Sequence, residues 1–157
     1  IGRNTIQMRN LEFRWNNLHN WRVGSGIFSF SLGDALQDPI AGLNVFLVED
    51  EPLILMVLKD MIDSLGAKAA ADARLLPQAL ELASSADFDL AILDVNLSGA
   101  EVYPVADAIL ARGIPLVFAS GFGAGGIPAA YRKWPVVEKP YQLEDLEAGI
   151  RKGLAAA

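Results

Sequence analysis

Cysteine is absent from this sequence, and histidine occurs once, at His19. The first absence excludes disulfides, thiolate metal sites and thiol catalysis. The second leaves a histidine-based triad or a multi-histidine metal centre without its parts. Basic residues are also short, with 13 Lys and Arg against 19 Asp and Glu and a formal net charge of −6. That balance argues against nucleic acid as a partner, because phosphate binding needs a basic face. No apolar run approaches the ~18 residues of a membrane helix, and no signal-peptide pattern opens the chain. The expectation is a soluble, cytoplasmic protein with no membrane partner. What is plentiful is apolar: 52% of 157 residues are hydrophobic, enough for one packed domain plus an extension.

From residue 43 onward, short apolar runs alternate with helical patterns. Leu43–Val48 reads as a buried strand that stops at Glu49, Asp50 and Glu51. Pro52 suits the first turn of a helix; Ile54, Leu58, Met61, Ile62 and Leu65 follow at helical spacing, and Gly66 supplies the stop. Ala67–Ala71 is an alanine-rich strand candidate and Pro77–Ser84 a short helix. Leu90–Leu93 is a second clear strand, ending at Asp94. Val102, Val105, Ala106, Ile109 and Leu110 form the next helical face, closed by Gly113. Pro115–Ala119 is a strand ending at Ser120 and Gly121; Val136 and Val137 form a very short one before Glu138, Lys139 and Pro140. Leu143, Leu146, Ile150 and Leu154 mark the last helix. Alternating strands and helices need crossover connections, hence a parallel sheet covered on both faces. The predicted class is α/β, a doubly wound five-stranded parallel sheet of flavodoxin-like type. Its functional site is expected beyond the carboxyl ends of the strands.

Those strand ends carry the polar residues: Glu49 and Asp50, then Asp94, Ser120 and Lys139. Three carboxylates brought together repel by roughly 4 kcal/mol per pair at 4 Å and an effective dielectric near 20. A hard divalent cation relieves this, and magnesium takes oxygen ligands while keeping waters. A carboxylate, a metal, a hydroxyl and a lysine suit phosphoryl transfer onto the carboxylate.

These stretches resemble the receiver domains of bacterial response regulators: Val45-Phe46-Leu47-Val48-Glu49-Asp50-Glu51-Pro52, Leu90-Ala91-Ile92-Leu93-Asp94-Val95-Asn96-Leu97, Pro115-Leu116-Val117-Phe118-Ala119-Ser120-Gly121-Phe122 and Val137-Glu138-Lys139-Pro140-Tyr141. The resemblance spans about residues 42 to 155. It implies Asp94 as phosphoacceptor, Ser120 as switch hydroxyl and Lys139 as phosphate-binding lysine. It also implies magnesium held by Glu49, Asp50, Asp94 and the Asn96 backbone carbonyl. The implied partners are a histidine kinase or histidine phosphotransfer protein and a downstream protein, with the chain a monomer or weak homodimer. No enzymatic activity is implied beyond self-phosphorylation and autodephosphorylation. The Lys139–Pro140 bond is a candidate for the cis isomer.

Two departures stand out. The aromatic switch position three before the lysine is Val136. Lys139 lies 19 positions after Ser120, and the interval includes Gly121, Gly123, Gly125 and Gly126, which are poor helix formers. A short, irregular or absent fourth helix is expected there. The Pro115–Phe122 run is similar to that of a stand-alone receiver subgroup in alphaproteobacteria that shares the missing aromatic. Phe122 either restricts water at the site or covers its loop. Leu53, Met56 and Val57 lie off the core stripe of the first helix, as padding or as an exposed docking patch.

Residues 1–41 read as an extension apart from the 42–157 domain. Arg3, Arg9, Arg14 and Arg22 interleave with Phe13, Trp15 and Trp21, a superficial nucleic-acid pattern that Glu12, Asp34 and Asp38 nearly neutralise. Gly24–Leu32 reads as a strand and faintly resembles the last strand of a histidine-kinase catalytic domain, which would make this the receiver of a hybrid kinase. His19 reads as an incidental polar residue. Few residues follow the last helix, so the expected output is protein binding rather than an appended domain. The rival expectations are a pseudo-receiver, which binds partners without phosphorylation, and an aspartyl-phosphate phosphatase. Phosphatases of that kind carry a second acid where Asn96 stands.

Overall fold

The computed structural model describes residues 38–157, and the backbone of four short strands before them. The chain divides into two compact units, Ile1–Asp38 and Pro39–Ala157. In the first, β1 (Thr5–Met8) pairs antiparallel with β2 (Leu11–Arg14), and β3 (Trp21–Val23) with β4 (Gly26–Phe28). The predicted Gly24–Leu32 strand is therefore seen only over Gly26–Phe28. Its remainder, His19 and the arginine and aromatic side chains lie outside the described residues.

The second unit runs β5 (Asn44–Val48), α1 (Pro52–Ser64), β6 (Lys68–Ala73), α2 (Leu76–Ser85), β7 (Leu90–Asp94), β8 (Asn96–Leu97), β9 (Ala100–Glu101), α3 (Tyr103–Ala111), β10 (Leu116–Ser120), β11 (Val136–Glu138) and α4 (Leu143–Ala156). Gly66 and Gly113, the predicted stops, take φ of +77° and +72°. Parallel pairing builds one sheet in the order β11-β10-β7-β5-β6. The order reverses between β5 and β7, and a crevice opens at such a reversal.

Strand alternation divides the core in two. Val45, Leu47, Ile92 and Val117 face one side, where Leu55, Leu58 and Ile62 of α1 and Leu146 and Ile150 of α4 cover them. Phe46, Val48, Ala91, Leu93, Leu116 and Phe118 face the other, against Ala79 and Ala83 of α2 and Val105, Ala106 and Ile109 of α3. The doubly wound expectation is met. Leu55 belongs to the buried stripe of α1, which the spacing argument had built on Ile54 and Leu58. Leu53, Met56 and Val57 are exposed, which removes the padding reading.

Between β10 and β11 the glycine-rich segment makes only two 3-10 turns, Gly123–Gly126 and Ala129–Tyr131. No α-helix forms between these two strands, as the glycines led us to expect. Ile127 and Trp134 are nonetheless buried and anchor the segment to the core.

Candidate functional site

Sheet register brings the polar strand ends together. Val48 pairs with Leu93, so Glu49 and Asp94 emerge at one level on neighbouring strands. Ala119 pairs with Asp94, and Ser120 with Glu138, which places the Ser120 hydroxyl and Lys139 on the next two strands. The Lys139 amide donates to the Ser120 carbonyl at 2.8 Å, and the Lys139–Pro140 bond is cis as expected.

The Lys139 ammonium bridges two carboxylates, donating to Glu49 Oε2 at 2.5 Å and to Asp94 Oδ2 at 2.8 Å. Asp94 Oδ1 accepts from the Asn96 amide at 3.2 Å, and Glu49 Oε1 from the Glu51 amide at 3.2 Å. Asp50, between them, has its carbonyl held by Nε and Nη2 of Arg74, each at 3.2 Å. One oxygen from each of Glu49, Asp50 and Asp94 lies within 4.8 Å of the others. An all-oxygen, anionic set at this spacing fits a hard divalent cation such as magnesium and suits soft metals poorly. Glu49, Asp94 and Ser120 are buried polar residues, so the charge sits where water screens it weakly.

Burial is the largest influence on Glu49 and raises its pKa above the ordinary 4.5; the Lys139 hydrogen bond and charge pull the other way without prevailing. Burial alone would lower Lys139, but its hydrogen bonds to Asp94 and Glu49 and their charges outweigh it, so the ammonium is held above 10.5. A carboxyl whose folded pKa exceeds its unfolded one binds protons more tightly when folded. Its contribution to stability is then full below the unfolded value and is lost as pH rises through the folded one. In metal-free buffer Glu49→Gln is therefore expected to be at least as stable as the wild type at neutral pH. Thermal melts should show that advantage shrinking as pH falls toward 4.5.

Glu49, Asp50, Asp94 and Lys139 converge here, Ser120 ends the strand beside Asp94, and Asn96 contributes a backbone amide to Asp94. The Asn96 side chain turns to its own hairpin, where Oδ1 accepts from the Gly99 amide at 2.6 Å. Phe122 donates its amide to Ser120 Oγ at 3.1 Å, and the residue is 88% exposed. Sequence reasoning missed two neighbours. Ser98 Oγ donates to Asp50 Oδ2 at 2.5 Å, from a Ser-Gly turn that was legible as a turn signal. Tyr141, after the cis proline, buries its hydroxyl without a hydrogen-bond partner, and burial pushes its pKa up to about 12. With Lys139, Pro140, Leu53, Ile54 and Val57 it lines a groove of about 450 Å3 beside the carboxylates.

Comparison with known proteins agrees with this geometry. The response regulator receiver domain family matches residues 45–151. Among solved structures, SdrG from Sphingomonas melonis Fr1 is 36% identical with a TM-score of 0.61, over 76% of this chain and 98% of that one. The receiver domain of the PhyR response regulator from Erythrobacter litoralis is 28% identical, TM-score 0.62, over 75% and 94%. PhyR from Brucella abortus is 28% identical, TM-score 0.62, over 73% of this chain and 49% of that longer one. Among curated proteins, none matches. The chain belongs to the response regulator receiver-domain family of two-component signalling.

Proposed function

We propose that this chain is a phosphoacceptor, taking a phosphoryl group onto Asp94 from the phosphohistidine of a histidine kinase or histidine phosphotransfer protein. The observation that carries the reading is the Lys139 ammonium bridging Glu49 and Asp94 inside a triad of carboxylates. Glu49, Asp50 and Asp94, with the Asn96 carbonyl, would hold magnesium. Bound there, magnesium supplies positive charge against the phosphoryl oxygens.

The remaining work falls to the chain. An Asp94 carboxylate oxygen attacks phosphorus in line; the P–N bond breaks and the imidazole leaves with its electron pair. The Asn96 amide holds the Asp94 carboxylate in orientation. Lys139 already touches Asp94 and is held protonated, so it can pass from the carboxylates to a phosphoryl oxygen as charge moves outward. The Ser120 hydroxyl, on the adjacent strand end, donates to another. The 121–134 segment then reorganises around Ser120, to which the Phe122 amide is bonded. Output is by protein contact, in keeping with the exposed Leu53, Met56, Val57 and Phe122. No helix among the described residues is long and apolar enough to cross a membrane, and the action we propose is cytoplasmic.

Incubation with a small-molecule phosphodonor, followed by intact-protein mass, tests this. One added phosphoryl group is expected with magnesium and none after chelation, and fragmentation should place it on the peptide containing Asp94. An unchanged mass in the presence of magnesium would leave the pseudo-receiver reading.

A further inference from the structure

We infer that Ser98 is a positioning residue for the divalent-cation site, its hydroxyl holding the Asp50 carboxylate in the orientation that a cation needs. The inference rests on the metal-binding reading of Glu49, Asp50 and Asp94.

Two independent features meet at Ser98. Its backbone takes φ of +52°, and among the described residues it is the one non-glycine with positive φ. That region is disfavoured for serine, and such outliers persist where surroundings impose them and cluster at functional sites. The second feature is where the strained turn points the side chain. Ser98 and Gly99, the latter at φ +92°, are the two central residues of the β8–β9 hairpin, in which Leu97 pairs with Ala100. Positive φ at both positions makes a tight two-residue hairpin, for which Asn-Gly or Asp-Gly is the usual choice. Here serine occupies the first position, and its hydroxyl crosses 48 residues of sequence to donate to Asp50 Oδ2.

The consequence concerns Asp50. Glu49 and Asp94 are fixed by the Lys139 bridge and by backbone amides. For Asp50, Arg74 secures the carbonyl, but its carboxylate is held by Ser98. With that bond made, Asp50 already offers an oxygen to the three-carboxylate cluster. The hydroxyl therefore does not draw Asp50 away from its neighbours; it removes rotamer freedom that cation binding would otherwise have to freeze. Hydrogen bonds of this kind to a ligating carboxylate commonly change metal affinity 10- to 100-fold when lost. The Asn96 side chain, which accepts from the Gly99 amide, braces the same turn. The hairpin thus ties the residues following Asp94 to the acidic pair following β5.

The test measures magnesium affinity by calorimetry, together with melting temperature in metal-free buffer, for wild type, Ser98→Ala and Ser98→Gly. Alanine keeps the backbone penalty and removes the hydroxyl; glycine removes both. If the hydroxyl positions Asp50, both variants bind magnesium about 10-fold more weakly, although the glycine variant melts at or above the alanine variant. Wild-type-like affinity in Ser98→Gly with weak binding only in Ser98→Ala would assign the effect to turn geometry and overturn the inference. Equal or tighter binding in both would overturn it as well. Absence of magnesium binding by the wild type would instead overturn the metal site itself.

Discussion

Asp94→Asn is expected to take up no phosphoryl group under conditions that label the wild-type chain, while folding with nearly unchanged stability. The first half follows from chemistry: an amide oxygen is not a nucleophile toward phosphorus at neutral pH, and no other described carboxylate is both bridged by Lys139 and flanked by Ser120. The second half follows from opposing charges. Removing the Asp94 charge abolishes repulsion with Glu49 and with Asp50. At separations within 4.8 Å, each repulsion is worth about 3.5 kcal/mol or more at an effective dielectric near 20. The substitution also abolishes an attraction to Lys139 across 2.8 Å, about 6 kcal/mol on the same scale. Two repulsions and one attraction nearly cancel, with a small balance toward stabilisation. The asparagine oxygen can still accept from Lys139, so no buried donor is stranded. Intact mass with a phosphodonor reads the first half and a thermal melt the second. Normal labelling of Asp94→Asn would move the acceptor elsewhere; an unfolded variant would mean that the Lys139 attraction dominates the site.

How much of this was legible in the sequence depends on whether a residue acts through its own strand or through a neighbour's. Glu49, Asp50, Asp94, Ser120 and Lys139 each end an apolar run, and a parallel sheet sends such ends to one edge; their convergence follows from strand order alone. The glycine-rich stretch after Ser120 was equally readable, because Gly123–Gly126 cannot sustain more than a 3-10 turn against its entropy cost. The β8–β9 hairpin was not placed in advance, although Ser98-Gly99 is a turn pair, because two-residue strands carry no periodicity. The contact from Ser98 to Asp50 joins positions 48 residues apart and depends on a φ value that no pattern of residue types announces. The buried Tyr141 hydroxyl was unreadable for the same reason. Residue 136 is instructive too. The sequence shows only that an aromatic is missing there; the structure shows half-buried Val136 packed against the same apolar cluster as Tyr103 and Tyr131.

That aromatic cluster sets the second large expectation, that Phe118→Ala destabilises the protein by about 3–5 kcal/mol. Phe118 is fully buried in β10. Its ring meets Tyr103 edge-on at 6.1 Å and Tyr131 at 5.9 Å, and those two tyrosines stack at 4.9 Å. Tyr131 is pinned in turn by its hydroxyl, which donates to Asp107 Oδ1 at 2.7 Å; that hydrogen bond, with burial, lifts its pKa to about 12. Truncating Phe118 therefore removes buried area and leaves two rings facing a cavity that neither can fill, since Tyr103 opens α3 and Tyr131 is tied to it. Against a typical domain stability of about 5–15 kcal/mol, the loss is severe. With a urea m-value near 2 kcal/mol/M, the midpoint should fall by about 2 M. Tyr131→Phe, which forfeits only the hydroxyl, should cost about 1 kcal/mol. Position within the strand adds a functional consequence. Phe118 and Ser120 are two apart and share a face of β10, so the cavity opens beneath the Ser120 hydroxyl. In hydrogen exchange, the amides of 123–131 should lose protection before those of β5 and β7. A Phe118→Ala cost below about 1 kcal/mol, or uniform loss of protection, would mean that the irregular segment is held by Ile127 and Trp134 alone, with the tyrosine stack as a passenger.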